Sequence, residues 1–334
     1  MSQRKTTFGL TLSNRALVTR GTTAEDLINM AVKAERSGLI DAVWVGDSIL
    51  SKPRLECIPL LGAIAARTSR VKLGVACMAT IAQRNPVLLA LQWASLDVLS
   101  GGRTWLAACM GYPASQHPMA AKELEVMGIA SKERPGRLEE MIQALRLLWS
   151  DERATFHGKY YSFHDINLLP KPAQQPCPIY IAGTPRPTQI GDRGVERSLR
   201  RIARYADGWM TNQIELSMFE DYEKRLREML LEEGRDPGKF KTILYYGIAV
   251  NADREKAFRE AKTFLDAYYQ KDFSRQGVEI WNACGPLEHC MDCVRGFIKA
   301  GVDHVAIRPI GDHLDQQFDI YLNEFLPGLQ KIAA

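Results

Sequence analysis

The chain alternates between short apolar runs and longer stretches with helical periodicity, most regularly over residues 71–112. An apolar run, Val71–Met78, leads into a polar turn that ends on Asn85-Pro86. An apolar-periodic segment, Val87–Leu99, follows. Ser100-Gly101-Gly102-Arg103 then precedes a second apolar run, Thr104–Met110, which closes on Gly111. The pattern predicts a strand, a helix and a strand joined by short loops. Strands connected in this way lie parallel in a sheet buried on both faces, and ligands should gather where such strands end.

The same alternation runs through the chain. It predicts further strands at 7–12, 41–47, 179–182, 207–211, 242–250 and 304–308. Helices are expected from an N-cap at Thr23, with Glu25 and Asp26 in the first turn, to about Ser37. Others are expected at 59–68, 137–149, 198–205, 218–233, 254–269, 287–300 and 315–332. Residues 154–169 read as an excursion or hairpin. Eight strands alternating with helices predict a (β/α)8 TIM barrel, one domain over 1–334. A doubly wound sheet would usually have fewer strands and a GxGxxG turn after the first, which is absent. The long connections 113–135, 184–197 and 270–285 all follow strands, so they are expected at the C-terminal mouth.

Composition narrows the function classes. A net charge of +4 with mixed signs leaves no nucleic-acid footprint. No apolar segment approaches the roughly 20 residues of a membrane span. The opening MSQRKTTFGLTLS enters a short strand, which argues against a signal peptide and for a cytoplasmic protein. Seven scattered cysteines suit reduced thiols better than a disulfide framework. Cys290 and Cys293 form a CxxC without a second ligand pair, so no metal site is expected.

Several segments together resemble the bacterial luciferase-like family of flavin-dependent oxidoreductases. They are VWVGD (Val43–Asp47), Ala65–Cys77, Arg84–Pro86, LDVLSGGR (Leu96–Arg103), RLEEMIQALRLLW, Leu168–Gly183 and Arg201–Trp209. The resemblance implies a barrel carrying reduced FMN, or the deazaflavin coenzyme F420, across its mouth. It divides the possible activities between oxygen-using monooxygenation and oxygen-independent hydride transfer, and it makes a homodimer or higher homo-oligomer the expected assembly.

The resemblance also distributes roles. A bulge at Ala76, Cys77 and Met78, with a cis bond between Ala76 and Cys77, would support the ring; the residues alone read equally as buried strand. Asp47, at a strand end, could bond the ring or position a proton, or merely cap a turn. Ser48 stands where many relatives carry His, and it is assigned to the substrate. Gly111 permits close approach, and the Tyr112 phenol could donate to a substrate oxygen. His117 is a candidate acid or base, although a lone loop His is more often solvated. Gly183, Thr184, Gly194, Val195 and Ser198 are assigned to the cofactor phosphate, held by helix-start amides with charge from Arg193, Arg197 and Arg201. Which glycine meets the phosphate stays open. Trp209 is a candidate for the substrate site or for packing under the cofactor and reads equally as barrel core; Trp281 is a candidate substrate wall or lid, with a dimer contact as the other reading.

These readings lead to a reduced-FMN-dependent monooxygenase of a small organic substrate, supplied by a separate flavin reductase. The alternative is an F420-dependent hydride-transfer enzyme, and another class is a flavin-binding protein without turnover. An aldolase or isomerase barrel would need a strand-end Lys or a metal cluster; Lys171 lies in a turn before a strand.

Overall fold

The computed structural model describes residues 5–330. The strands are β1 (Thr7–Leu12), β2 (Ala42–Val45), β3 (Lys72–Met78), β4 (Thr104–Ala108), β5 (Ala154–His157), β6 (Ser162–Ile166), β7 (Ile179–Ala182), β8 (Gly208–Thr211), β9 (Lys241–Val250), β10 (Asn282–Gly285) and β11 (His304–Pro309). β5 and β6 form the expected antiparallel hairpin outside the barrel. The remaining strands run in the order β10-β9-β11-β1-β2-β3-β4-β7-β8, and β8 pairs back to β9. β10 pairs only with β9, so eight parallel strands close the ring. The (β/α)8 barrel read from the sequence is the architecture found.

Local chemistry fixes the units. Thr23 and Asp26 form a reciprocal capping box at the start of helix Ala24–Arg36. The Asn85 side chain accepts from the amides of Val87 (3.0 Å) and Leu88 (3.1 Å), and Pro86 opens helix Pro86–Leu99. Arg103 donates to the carbonyls of Ser100 (2.6 Å), Val71 (2.9 Å), Ala65 (3.1 Å) and Thr68 (2.9 Å). The LSGGR segment is therefore a clamp at the N-terminal end of the barrel, away from the mouth.

Three departures from the sequence reading have physical causes. Residues 282–285 form a strand, not loop, because β9 is ten residues long and its last four extend beyond the β8 pairing, which ends at Leu244, to take a second partner. Residues 184–197 are mostly helical: helix Pro187–Tyr205 runs through them with one break, at Gly191 (φ 65°). Residues 113–135 contain the helix Pro118–Val126. The expectation of reduced thiols also fails at one place. Cys77 and Cys109 are disulfide-bonded across neighbouring strands, a pairing hidden by their separation of 32 residues. The other five cysteines are free. No helix among the described residues is long and apolar enough to cross a membrane.

The barrel interior is filled with rings. Trp44 and Trp105 have centroids 5.7 Å apart, Trp105 and His304 5.3 Å, and Trp105 and Tyr180 5.7 Å. Trp44 Nε1 donates to His304 Nε2 (3.0 Å), which leaves His304 Nδ1–H to donate to Thr7 Oγ1 (2.8 Å). Burial pushes the His304 imidazole down to about 3, so it stays neutral. Room for these rings comes from Gly9 and Gly74. A Cβ at Gly74 would lie 2.1 Å from Trp44 Cε3. Gly74→Ala should therefore lower unfolding stability by about 1–3 kcal/mol through overpacking. Urea denaturation checks this; an unchanged midpoint and slope would contradict the packing described.

Candidate active site

With the interior filled, the open space is a cavity of about 410 Å³ at the C-terminal mouth, lined from the ends of most ring strands. Its floor is the end of β3. Pairing with β4 shifts register between Val75 and Met78, and Cys77 takes φ 77°. The expected bulge is thus present, but the expected cis bond is not. The cis bonds among the described residues are Leu169–Pro170 and Gln175–Pro176. The positive φ at Cys77 turns the chain in its place. Ala76 and Cys77 line the cavity, with Cys109 beside them. Met78 is fully buried and does not reach it, because the extra residue of the bulge returns it to the outward side of the strand with Val75.

The loop after β4 forms the next wall. Gly111 has φ 68°, and a Cβ there would meet the Ala79 carbonyl oxygen at 2.9 Å, so only glycine fits. Arg134 Nη1 donates to the carbonyls of Met110 (2.8 Å), Gly111 (3.3 Å) and Tyr112 (2.8 Å), which holds the loop in place. Tyr112 lines the cavity, and burial raises its phenol well above the usual range. It remains a protonated donor. His117 is buried behind Tyr112, ring centroids 5.8 Å apart, and is off the cavity wall. Burial first, then the charges of Lys52 and Arg15, lower its pKa, so it is neutral at pH 7.

Asp47 reaches the cavity, but both carboxylate oxygens are taken. Oδ2 accepts from the Thr80 amide (2.9 Å) and hydroxyl (2.6 Å), and Oδ1 accepts from Arg84 Nη2 (3.0 Å). Arg84 also pairs with Glu56 (2.8 Å). Asp47 is placed as a strut that ties β2 to the segment after the bulge. Ser48 turns away from the cavity, bonded to the Ser51 hydroxyl (2.7 Å).

On the β7–β8 side, Gly183, Thr184, Ser198 and Arg201 line the cavity. Thr184 and Thr211 share a hydroxyl hydrogen bond (2.8 Å). Gly194 and Val195 are buried below this wall. A Cβ at Gly194 would lie 2.8 Å from Ile190 Cβ, so Gly194 serves packing across the Gly191 kink. Of the two glycines left open in the sequence, Gly183 is the one on the wall. Arg193 and Arg197 are exposed, and Arg201 Nε pairs with Glu139 (2.6 Å). Trp209 is not a substrate wall: it is fully buried, stacks on Phe219 (5.8 Å) and donates to the Gly183 carbonyl (2.8 Å). Trp281 is no lid. It is 2% exposed and packs on Tyr269 (4.7 Å), yet its edge forms part of the cavity wall.

Sequence reading missed the far side, built from Arg15, Lys52, Arg54, Tyr245, Tyr268, Tyr269 and Arg308. One signal was available: Arg308 is a charge inside the apolar strand HVAIRP. Lys52 Nζ lies 4.7 Å from the Tyr112 ring centroid and 5.1 Å from that of Tyr269. Burial, then repulsion from Arg54 and Arg15, pushes the Lys52 amine down to about 7.

The profile of the luciferase-like monooxygenase family matches residues 6–304, and the chain belongs to that family. An F420-dependent glucose-6-phosphate dehydrogenase from Kineococcus radiotolerans is 30% identical over 310 residues, covering 85% of this chain and 87% of that one. A solved F420-dependent secondary alcohol dehydrogenase, in complex with an F420-acetone adduct, superposes with TM-score 0.80 at 21% identity over 97% of this chain and 99% of its own. Monooxygenase RslO1 from Streptomyces bottropensis superposes with TM-score 0.77 at 19% identity over 98% and 100%. The last two likenesses speak for the fold.

The Lys52 environment gives a direct test. Isotope-labelled methylation followed by NMR titration should find its amine titrating near 7, against about 10.4 for a free lysine. A value near 10 would contradict the cationic, buried surroundings described.

Proposed function

We propose that this protein is an F420-dependent oxidoreductase that moves a hydride between a small alcohol or its carbonyl counterpart and the deazaflavin. The observation that carries the reading is the nearly end-to-end similarity to F420-dependent dehydrogenases. It shifts the balance from the reduced-FMN monooxygenase favoured by the sequence to the alternative. FMN stays open as a second reading, since a monooxygenase shares the fold.

The residues present fit a tricyclic cofactor with a phosphate. The bulge at Ala76 and Cys77 offers a small-residue platform, and Gly111 adds no side chain of its own to the wall. Gly183, Thr184 and Ser198 offer a polar rim on one side, where a phosphate would be held. When bound, the cofactor supplies the hydride acceptor or donor. The chain does the rest. Tyr112, protonated at neutral pH, donates a hydrogen bond to the substrate oxygen. Lys52, partly uncharged near pH 7, takes the hydroxyl proton as the alcohol is oxidised and returns it in the reverse direction. Tyr268, Tyr269 and Trp281 wall the reacting carbon from water.

Titrating the purified protein with F420 and with FMN tests this. F420 should bind at least tenfold more tightly, or about 1.4 kcal/mol, and an alcohol from a panel should bleach the bound oxidised deazaflavin. Tighter FMN binding, with oxygen uptake when reduced FMN is supplied, would replace this reading with the monooxygenase.

A further inference from the structure

Three guanidinium groups surround one ring in the part of the mouth that no cofactor role uses. The carbons Arg15 Cζ, Arg54 Cζ and Arg308 Cζ lie 5.6, 5.5 and 5.3 Å from the centroid of Tyr268. Arg15 is 3% and Arg308 1% exposed. None of the three has an ion-pair partner among the described residues. The acids on the cavity wall are committed elsewhere: Asp47 accepts from Thr80 and Arg84, Glu123 Oε2 accepts from the amides of Ile49, Leu50 and Ser51, and Glu123 Oε1 from Gln83. Burying like charges together without a counter-charge is costly, and a chain that does so at a cavity usually receives the counter-charge with its ligand.

Unpaired donors mark the same place. Arg15 Nε and Nη1, Arg308 Nε and Nη2, Thr11 Oγ1 and Trp281 Nε1 are buried without a hydrogen-bond partner. Thr11, Arg54, Tyr268 and Trp281 stand on the cavity wall, and Arg15 and Arg308 lie behind Tyr268. The arginines that do bond meet neutral oxygens, Arg54 on the Tyr268 hydroxyl (3.1 Å) and Arg308 on the Tyr269 hydroxyl (2.9 Å). Gly46 lets Arg54 cross here, since a Cβ would collide with its Nη1 at 1.9 Å.

Topology separates this cluster from the phosphate rim. Arg308 ends β11, Arg15 follows β1 and Arg54 follows β2, three consecutive ring strands. Gly183 follows β7, four strands from β1 in a ring of eight and so across the mouth. The bulge on β3 lies between the two.

We propose that Arg54, Thr11 and Trp281 on the cavity wall, with the charges of Arg15 and Arg308 behind Tyr268 adding to the field there, form a subsite for an oxyanion carried by the substrate, a carboxylate or a phosphate ester. The inference rests on the hydride-transfer reading for the identity of the ligand as substrate. It assigns the substrate class: a hydroxy or oxo compound with an anionic group at one end, its reacting carbon pointing toward the bulge. Tyr268 screens the charges from solvent.

The test is calorimetric titration of F420-loaded protein with inorganic phosphate. Loading fills the rim across the mouth, so phosphate reports on the arginine cluster alone. Saturable binding is expected, at least tenfold weaker in Arg54→Gln, with F420 affinity unchanged in the variant. Arg308→Gln serves as a second variant, checked for folding by its thermal transition. No phosphate binding, or equal binding in folded Arg54→Gln and Arg308→Gln, would overturn the subsite. So would loss of F420 affinity in Arg54→Gln, which would give the cluster to the cofactor instead. A protein that binds no F420 shows itself before phosphate is added, so failure of the cofactor reading is distinct from failure of the subsite.

Discussion

Everything at this site follows from a filled barrel. Eight parallel strands close on themselves, and the space they enclose is occupied by Trp44, Trp105, Tyr180 and His304, packed against Gly9 and Gly74. A ligand therefore cannot enter the barrel; it must lie across the top. The aromatic plug turns strand ends into a floor, and the chemistry is set by what each strand end and the loop after it present to that floor.

Those presentations are unequal around the ring. The β3–β4 edge is small, rigid and covalently tied by Cys77–Cys109. The β7–β8 edge is polar, with Thr184 bonded to Thr211 and with Arg186 and Arg201 on the same wall. The β11–β1–β2 edge is cationic and aromatic. A flat cofactor over the floor, anchored at one edge and leaving the opposite edge to a charged substrate, matches this distribution. Lys52 and Tyr112 then sit between the two, where a proton must move when a hydride does.

The architecture was legible because short apolar runs and helical patterns alternate with little interruption, and because Asn85-Pro86 and Thr23 mark helix starts that the structure uses. Counting strand ends points to Gly111 and Tyr112 on the floor, whereas Ala76 and Cys77 were reached only through the family resemblance. Which way a side chain faces was harder. Trp209 sits one residue from the lining Met210, and alternation sends it into the packing outside; Met78 is sent there by the extra residue of the bulge. The cationic edge was illegible because Arg15, Arg54 and Arg308 are distant in sequence and meet only through barrel closure. Tyr268 and Tyr269 look like the end of an ordinary amphipathic helix. The disulfide was hidden for the same reason, and the strand at 282–285 because its partner is the far end of an unusually long neighbour.

A crystal structure with F420 bound would test the account most directly. It should show the deazaflavin ring lying against Ala76 and Cys77, its phosphate beside Gly183, Thr184 and Ser198, and an open space between the ring and Arg54. A cofactor bound with its phosphate among Arg15, Arg54 and Arg308, or away from the bulge, would contradict it.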